Sequence, residues 1–331
     1  MIPNGQDINK IITDATNIVI IQADNPDGDS LGSALALEQI LGDMGKNPSL
    51  YCGVNVPEYL RFMPGWDRVS QDLPIQIDAS IIVDTSSYVL LQKLDQNVGK
   101  PWVASKPVIV IDHHQEVPCD IPYASVVTNP VGFVATGEVI YELAKEFKWQ
   151  LSVPAMNMLA QSILSDSLGL TSDGTTSATY RRMAELIDAG VDRVELETAR
   201  KLLSKMQEPV FRYKAKLIER AEFYAEGQIA VIVVPEEELY SIGTLYNPKP
   251  LILNELVQVE HVKFAIMLKK YRGRITGAVR ATEKSLSAAE LAEQFGGGGH
   301  QYVAGFKIEK PFINFADIKA DVIKQATELL Q

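Results

Sequence analysis

IVIIQADNPDGDSLGSALALEQIL, residues 18–41, reads as a strand, a tight acidic loop and a helix. The apolar run Ile18–Ile21 is long enough for a buried strand and too short for a buried helix. Asn25-Pro26-Asp27-Gly28 breaks it with turn formers. The Leu- and Ala-rich stretch that follows, Leu31–Leu41, has helical propensity and stops at Gly42. A buried strand feeding a helix through a short loop is the first half of a βαβ unit, so the opening segment predicts a parallel sheet covered by helices.

The pattern repeats over the first ~200 residues. Further strands are expected at Ser49–Gly53, Ser80–Asp84 and Val108–Asp112, besides Ile18–Gln22. Helices are expected at Gly137–Phe147, Ala155–Ser165 and Ser177–Ala189, the last closed by Gly190. Residues 191–226 are charged and helical in character, broken at Pro209. From Gln228 a second α/β unit begins, with strands Ile229–Val234, Lys263–Lys269 and Arg274–Ala281, a helix Ala288–Gln294, a glycine-rich loop and a closing helix. The chain of 331 residues is thus expected to divide into a domain over 1–205, a helical connector over 206–226 and a smaller domain over 227–331.

Composition narrows the function. An apolar fraction of 46% and a charged fraction of 22% are those of an ordinary globular protein. The two cysteines, Cys52 and Cys119, lie far apart, which fits a reducing compartment rather than a disulfide framework. The start, MIPNGQDINK, lacks a basic stretch followed by an apolar one, and no apolar run approaches the ~20 residues of a membrane helix. A cytoplasmic location is expected. The net charge of −11 with no basic run disfavours tracking of long nucleic acid and favours a small anionic substrate held by local positive charge.

The chemistry-bearing residues sit at element ends. Asp27 and Asp29 flank Gly28 directly after the first strand, and two carboxylates in a glycine-containing turn suit a hard divalent cation. The plain alternative is a helix N-cap by Asp29 or Ser30. Asp84 follows the third strand, Asp112-His113-His114 the fourth, and Asp166 ends the helix of 155–165. An Asp beside His is the usual means of orienting a ligating imidazole. Of the four histidines, two are in that triplet and one closes Gly296-Gly297-Gly298-Gly299-His300, while His261 has no motif around it and reads as surface or structural. Lys269, Lys270, Arg272 and Arg274 around Gly273 read as a solvated hairpin. Phe62 and Trp66 read as a packed loop, with a base-stacking lip as the alternative.

Taken in order, PDGDSLGSALAL, VDTSS, DHH, Asp166 and, after Val279-Arg280, GGGGHQYVAGF resemble the DHH/DHHA1 phosphoesterase superfamily and its NrnA-type oligoribonuclease and pAp-phosphatase branch. The resemblance implies an N-terminal parallel-sheet DHH domain and a smaller α/β DHHA1 domain closing over a cleft that holds the active site. It implies a metal centre of one or two ions, usually manganese and otherwise magnesium. Asp84 would bridge two ions, Asp29, His113 and Asp166 would complete one site, and Asp27 would serve the other. Asp112 would orient His113, and His114 would reach the substrate phosphate, so that catalytic roles fall to Asp84, Asp112 and His114. Gly297, Gly298 and Gly299 would bring amides toward a phosphate, with His300 and Arg280 as charged partners.

The implied reaction is hydrolysis of short oligonucleotides (nano-RNA, linear dinucleotides) or of pAp, by a metal-activated water. Two departures stand out. Where the family carries a metal-ligating His four residues before Asp27, this chain has Ala23, with Asp24 next to it. Ala135-Thr136 stands where relatives tend to carry Ser-Thr. The first leaves a competing expectation, a nucleotide-binding relative with weakened or lost catalysis. Inorganic pyrophosphatase is disfavoured by the GGGGH signature, and a homodimer is an expectation by analogy alone.

Overall fold

A computed structural model describes residues 1–114, 118–203, 205, 207–241, 248–283, 285–309 and 314–330. The chain divides into two units, Met1–Lys205 and Met206–Gln331, with residue 206 itself outside the described set.

The first unit is a five-stranded, all-parallel sheet. Its strands are β1 (Asn17–Gln22), β2 (Asn47–Cys52), β3 (Ala79–Val83), β4 (Val108–Ile111) and β5 (Val126–Thr128), in the order β2-β1-β3-β4-β5. The expected strands are present, with ends shifted by one or two residues. Asp84 and Asp112, read as the last residues of strands, lie just beyond β3 and β4. One face of the sheet buries Ile18, Ile20, Ile81, Ile109 and Ile111, and the other Val19, Ile21, Ile82, Val108 and Val110. Both faces are covered, which is why the strands are continuous aliphatic runs rather than alternating ones. Chain direction across the sheet reverses between β1 and β3, and in such sheets ligands bind at the carboxyl ends flanking that point.

The longer helices among the described residues of this unit are α1 (Gly5–Asp14), α2 (Gly28–Asp43), α3 (Thr136–Phe147), α4 (Val153–Asp166) and α5 (Ser177–Asp188), followed by one over Arg193–Leu203. α1 escaped the sequence reading. Its core-facing apolar residues are Ile8, Ile11 and Ile12 alone, and no side chain caps it. α2 begins three residues earlier than the Leu31 start expected from propensity, because the cap is Asp27 rather than Asp29 or Ser30. Asp27 Oδ1 accepts from the amides of Asp29 and Ser30, both at 3.0 Å, and Ser30 Oγ accepts from the Asp27 amide at 3.0 Å. Such a reciprocal box contributes about 1 kcal/mol. α2 is apolar nearly all round and runs through the middle of the core. It meets α4 at Gly32, where a Cβ would stand 2.9 Å from both the Met158 carbonyl and the Ser162 amide.

The second unit is a six-stranded mixed sheet. Its strands β6 (Glu222–Tyr224), β7 (Ile229–Val234), β8 (Phe264–Tyr271), β9 (Arg274–Ala281), β10 (Gly298–Gly299) and β11 (Val303–Glu309) lie in the order β10-β11-β9-β8-β7-β6, with only β7 and β8 parallel. One face packs against the helices Ala288–Glu293 and Phe315–Glu328, the other against Glu208–Glu219 and Pro248–Leu256. The stretch 207–226 therefore contributes a helix and an edge strand to this unit. β8 and β9 form the expected hairpin around Gly273, whose φ of 72° suits a tight turn.

Candidate metal centre

The acidic residues of the first unit converge where β1, β3 and β4 end. Asp29 is the second residue of α2 and is wholly buried. Its carboxylate is held from several sides. Oδ2 accepts from the Thr136 amide at 2.7 Å, and Oδ1 from Ser33 Oγ at 3.0 Å, from Ser162 Oγ and from the Gly137 amide at 3.3 Å. The two amides belong to the first turn of α3, and Asp29 itself lies in the first turn of α2. Both helix N-termini favour negative charge there.

Asp84 follows β3 with φ of 61°, a left-handed backbone uncommon outside glycine. Asp tolerates it better than most residues, and strain of this kind concentrates at functional sites. Its Oδ1 accepts from Thr136 Oγ1 at 3.1 Å. One threonine at the start of α3 thus touches both carboxylates, through its amide and its hydroxyl.

His113 lies among these acids. Its Nε2 is 3.3 Å from Asp166 Oδ2 and 3.5 Å from both Asp29 Oδ2 and Asp84 Oδ1. The ring is 12% exposed, and Nε2 is buried with no hydrogen-bond partner. A buried nitrogen facing three carboxylate oxygens calls for a cation between them, a proton or a metal. Ligand bonds of about 2.1 Å at tetrahedral to octahedral angles put neighbouring donor atoms roughly 3.0–3.4 Å apart. The observed spacing is close to this, so the residues fit a divalent ion. Two sets have donor atoms mutually within 4.8 Å, Asp29–His113–Asp166 and Asp84–His113–His114.

The protonation pattern of the ion-free site follows the same geometry. Burial, reinforced by Asp166, pushes the Asp29 carboxyl up to about 6. Burial, with Asp29 close by, raises Asp84 well above the usual carboxylate range. Burial acts to lower His113, but Asp166 and Asp84 outweigh it and lift the imidazole to about 11. His113 is therefore a trapped imidazolium that balances its acidic neighbours.

Three expectations need correction. Asp112, expected to orient His113, holds the His113 backbone amide at 2.8 Å, while the ring it holds is that of His114, with Oδ1 to Nδ1 at 2.8 Å. The loop after β4 turns so that the i+2 side chain folds back over the carboxylate and the i+1 ring points on to Asp29 and Asp166. His114, 56% exposed, is raised by that contact with Asp112. Gly28, read as the turn residue between the two carboxylates, lies in the helix instead. It is the first residue of α2, and a Cβ on it would stand 2.3 Å from Ser165 Oγ, so its role is the close approach of α2 and the end of α4. Asp27 belongs to neither ligand set. It is exposed, and one carboxylate oxygen caps α2. Asp24 is turned elsewhere, its Oδ2 accepting from the Lys93 amide at 2.8 Å. Ala23 is buried, and its carbonyl accepts from the Cys52 thiol at 3.3 Å.

The sequence assigns no role to Ser33 or Ser162, whereas Thr136, noted there only within Ala135-Thr136, proves to hold both Asp29 and Asp84. Ser33 is four residues after Asp29 on α2, and Ser162 four before Asp166 on α4, so helical spacing was the available signal. Phe62 and Trp66 pack against the core, with the Arg61 guanidinium 4.8 Å over the Trp66 ring, and His261 lies exposed beside Glu260.

In the second unit, Arg280 is on β9 opposite Val303, next to the register pair Gly299–Ala304 that joins β10 to β11. The guanidinium is half-buried, it donates to the Val279 carbonyl at 3.1 Å, and burial lowers its pKa. Among the described residues no carboxylate pairs with it within 4.0 Å. Gly297, expected to offer its amide to a phosphate, donates it to the Ala292 carbonyl at 2.9 Å. A Cβ there would stand 2.2 Å from the Gly305 carbonyl, so this glycine serves close packing. Gly298, Gly299 and His300 are exposed, and the His300 amide is taken by the Val303 carbonyl at 2.8 Å.

Comparison with known proteins places these features. Residues 17–165 match the model of the DHH family N-terminal domain, and residues 249–331 that of the DHHA1 domain. The chain is 25% identical over 317 residues to an uncharacterized protein of Mycoplasma genitalium, covering 92% of this chain and 91% of that one. It is 25% identical over 281 residues to the bifunctional oligoribonuclease and PAP phosphatase NrnA of Thermus thermophilus, covering 85% of this chain and 81% of the relative. An exopolyphosphatase-related protein from Bacteroides fragilis shares the fold at a TM-score of 0.80 and 20% identity, over 99% of this chain and 97% of that one. No described helix is long and apolar enough to cross a membrane.

Proposed function

Since the chain belongs to the DHH/DHHA1 family, with both of its domains present, we propose that it is a metal-dependent phosphoesterase that hydrolyses short oligonucleotides, linear dinucleotides or pAp. The observation that carries this reading is His113 Nε2, buried, without a hydrogen-bond partner and 3.3–3.5 Å from three carboxylate oxygens. Asp29, His113 and Asp166 would hold the ion, with Asp84 alongside. Three oxygens and one imidazole suit Mn²⁺, and Mg²⁺ less well because of the nitrogen. When bound, a divalent ion supplies Lewis acidity, which acidifies water and offsets charge on a phosphate.

The protein's own groups do the rest. Thr136, Ser33 and Ser162 fix Asp29 in place, and Thr136 fixes Asp84. Asp112 anchors His114 through Nδ1, leaving the exposed Nε2 edge of that ring to face a substrate phosphate and to donate a proton to it. Arg280, with His300 beside its end of the sheet, has no carboxylate partner among the described residues and offers its guanidinium to an anionic group. The preference for short nucleotides rests on the NrnA relatives and on the net charge of −11, which opposes long polyanions. Manganese as the working cofactor is supported by the donor set of carboxylates with one imidazole, and the cytoplasm as the working compartment by two cysteines that are both free thiols.

The test is release of mononucleotide from a 5′-phosphorylated dinucleotide and of phosphate from pAp, with Mn²⁺ or with chelator, beside an Asp84→Asn control. Turnover that needs Mn²⁺ and disappears in the control supports the reading. Metal-independent turnover, or none with either substrate while nucleotide still binds, refutes it.

A further inference from the structure

The metal-ligating side chains form two triads, yet both depend on one imidazole. Asp29–His113–Asp166 and Asp84–His113–His114 are the sets with mutually close donor atoms among the described residues. An imidazole nitrogen has a single lone pair and ligates one ion. His113 Nε2 is the atom that faces Asp29, Asp84 and Asp166. The triads are therefore alternatives for one ion rather than two sites side by side. The second triad is also poorer, because His114 Nδ1, the atom 3.8 Å from Asp84, is bonded to Asp112 at 2.8 Å.

Among the described residues no other set of donors is placed to build an independent second site. One oxygen of Asp27 accepts two amides of its own helix. Asp24 is bonded to the Lys93 amide, and its Oδ1 stands 2.6 Å from where a Gly53 Cβ would be, on the β2 side of the sheet. Position 23 is an alanine whose carbonyl is taken by Cys52. Asp84 and Asp27 alone, with one carboxylate oxygen each, fall below the ligand number that a tightly bound divalent ion needs.

Resting on the metal-dependent reading above, we infer that this chain binds a single divalent ion tightly, at Asp29, His113 and Asp166, and that Asp27 serves as a helix cap rather than as a metal ligand. Chemistry at this site then proceeds with one ion, and neutralisation of the substrate there falls more heavily on His114.

The full chain, freed of metal, is titrated with Mn²⁺, and bound ions are counted by native mass spectrometry. Electron paramagnetic resonance reads whether the ions are isolated or exchange-coupled. Asp27→Asn, which keeps the cap because Asn caps as well as Asp, is titrated in parallel with Asp166→Asn. The expected result is one ion per chain with the spectrum of an isolated Mn²⁺. Asp27→Asn should stay within about threefold of the parent affinity, and Asp166→Asn should lose more than about tenfold. Two tightly bound ions per chain, or a loss above about tenfold in Asp27→Asn, overturns the single-ion inference and leaves the phosphoesterase reading standing. Absence of any bound Mn²⁺ overturns both.

Discussion

Binding of the ion must displace a proton from His113, and this makes affinity steeply dependent on pH. In the ion-free protein the imidazole titrates near 11 and the Asp29 carboxyl near 6. Between those values Asp29 is ionised and His113 is not yet neutral, so each ion bound releases about one proton from His113, to which the raised Asp84 carboxyl adds while it is still protonated. Affinity for Mn²⁺ should rise about tenfold per pH unit, roughly 100-fold from pH 6.5 to 8.5, equivalent to about 2.7 kcal/mol. Below about 6 the slope should steepen, because Asp29 must also be deprotonated.

The stability of the ion-free protein follows the same groups. The raised pKa of His113 contributes stability that is fully present below 6.5 and lost as pH rises toward about 11. Asp29, raised from 3.8 to about 6, makes the folded state hold the extra proton, so stability also falls as pH climbs through that lower window. Calorimetric titration with Mn²⁺ in two buffers of different ionisation enthalpy counts the protons directly. An affinity flat within about twofold from pH 6.5 to 8.5, with no proton released, would refute the trapped-imidazolium account.

Asp84→Asn keeps a residue that tolerates the left-handed backbone but removes a buried charge. Activity should fall by at least about 100-fold, while the metal-free protein melts roughly 2–8 °C higher. A lower melting temperature would mean that Asp84 stabilises the fold. Thr136→Val removes the hydroxyl that reaches Asp84 at 3.1 Å and leaves the amide on Asp29. Mn²⁺ affinity should weaken about tenfold, with an unchanged circular dichroism spectrum, and equal affinity would show that the hydroxyl positions nothing. Gly32→Ala forces a methyl to within 2.9 Å of two backbone atoms of α4. A loss of about 1–3 kcal/mol and a melting point roughly 3–10 °C lower are expected, and wild-type stability would contradict so close a helix contact.

Most of the fold was legible because each central strand of the first unit is an unbroken aliphatic run, as a parallel sheet covered on both faces requires. Ile18–Ile21 and Val108–Ile111 admitted no other reading, and both are strands. α1 and β5 were missed for the complementary reason. Ile8, Ile11 and Ile12 do recur at helical spacing, but on a ten-residue polar segment that no side chain caps, and Val126–Thr128 is three residues long, so both are too short to stand out locally. They form because the neighbouring sheet and helices supply the burial that their own sequence lacks.

The metal centre was legible in outline, because strands of this topology end at one edge and place there whatever follows them. What stayed hidden was the division of labour between like residues. Asp27 and Asp29 are two acids in one loop of sequence, yet one is exposed and the other wholly buried. The difference is one of helical position. At the N-cap a carboxylate turns back onto the amides of its own first turn, whereas two residues later the same side chain projects off the helix, here into the hydroxyls and amides of α3 and α4. Propensity placed the start of α2 at Leu31 and so gave no basis for telling them apart. Once the start is at Gly28, Asp29 is the carboxylate that can be held rigid for a metal, and Asp27 the one that holds the helix. The same geometry explains how an alanine is accommodated at position 23. With Asp27 Oδ1 bonded to its own helix, only the second oxygen of that carboxylate remains, and an alanine at 23 adds no side-chain ligand to it.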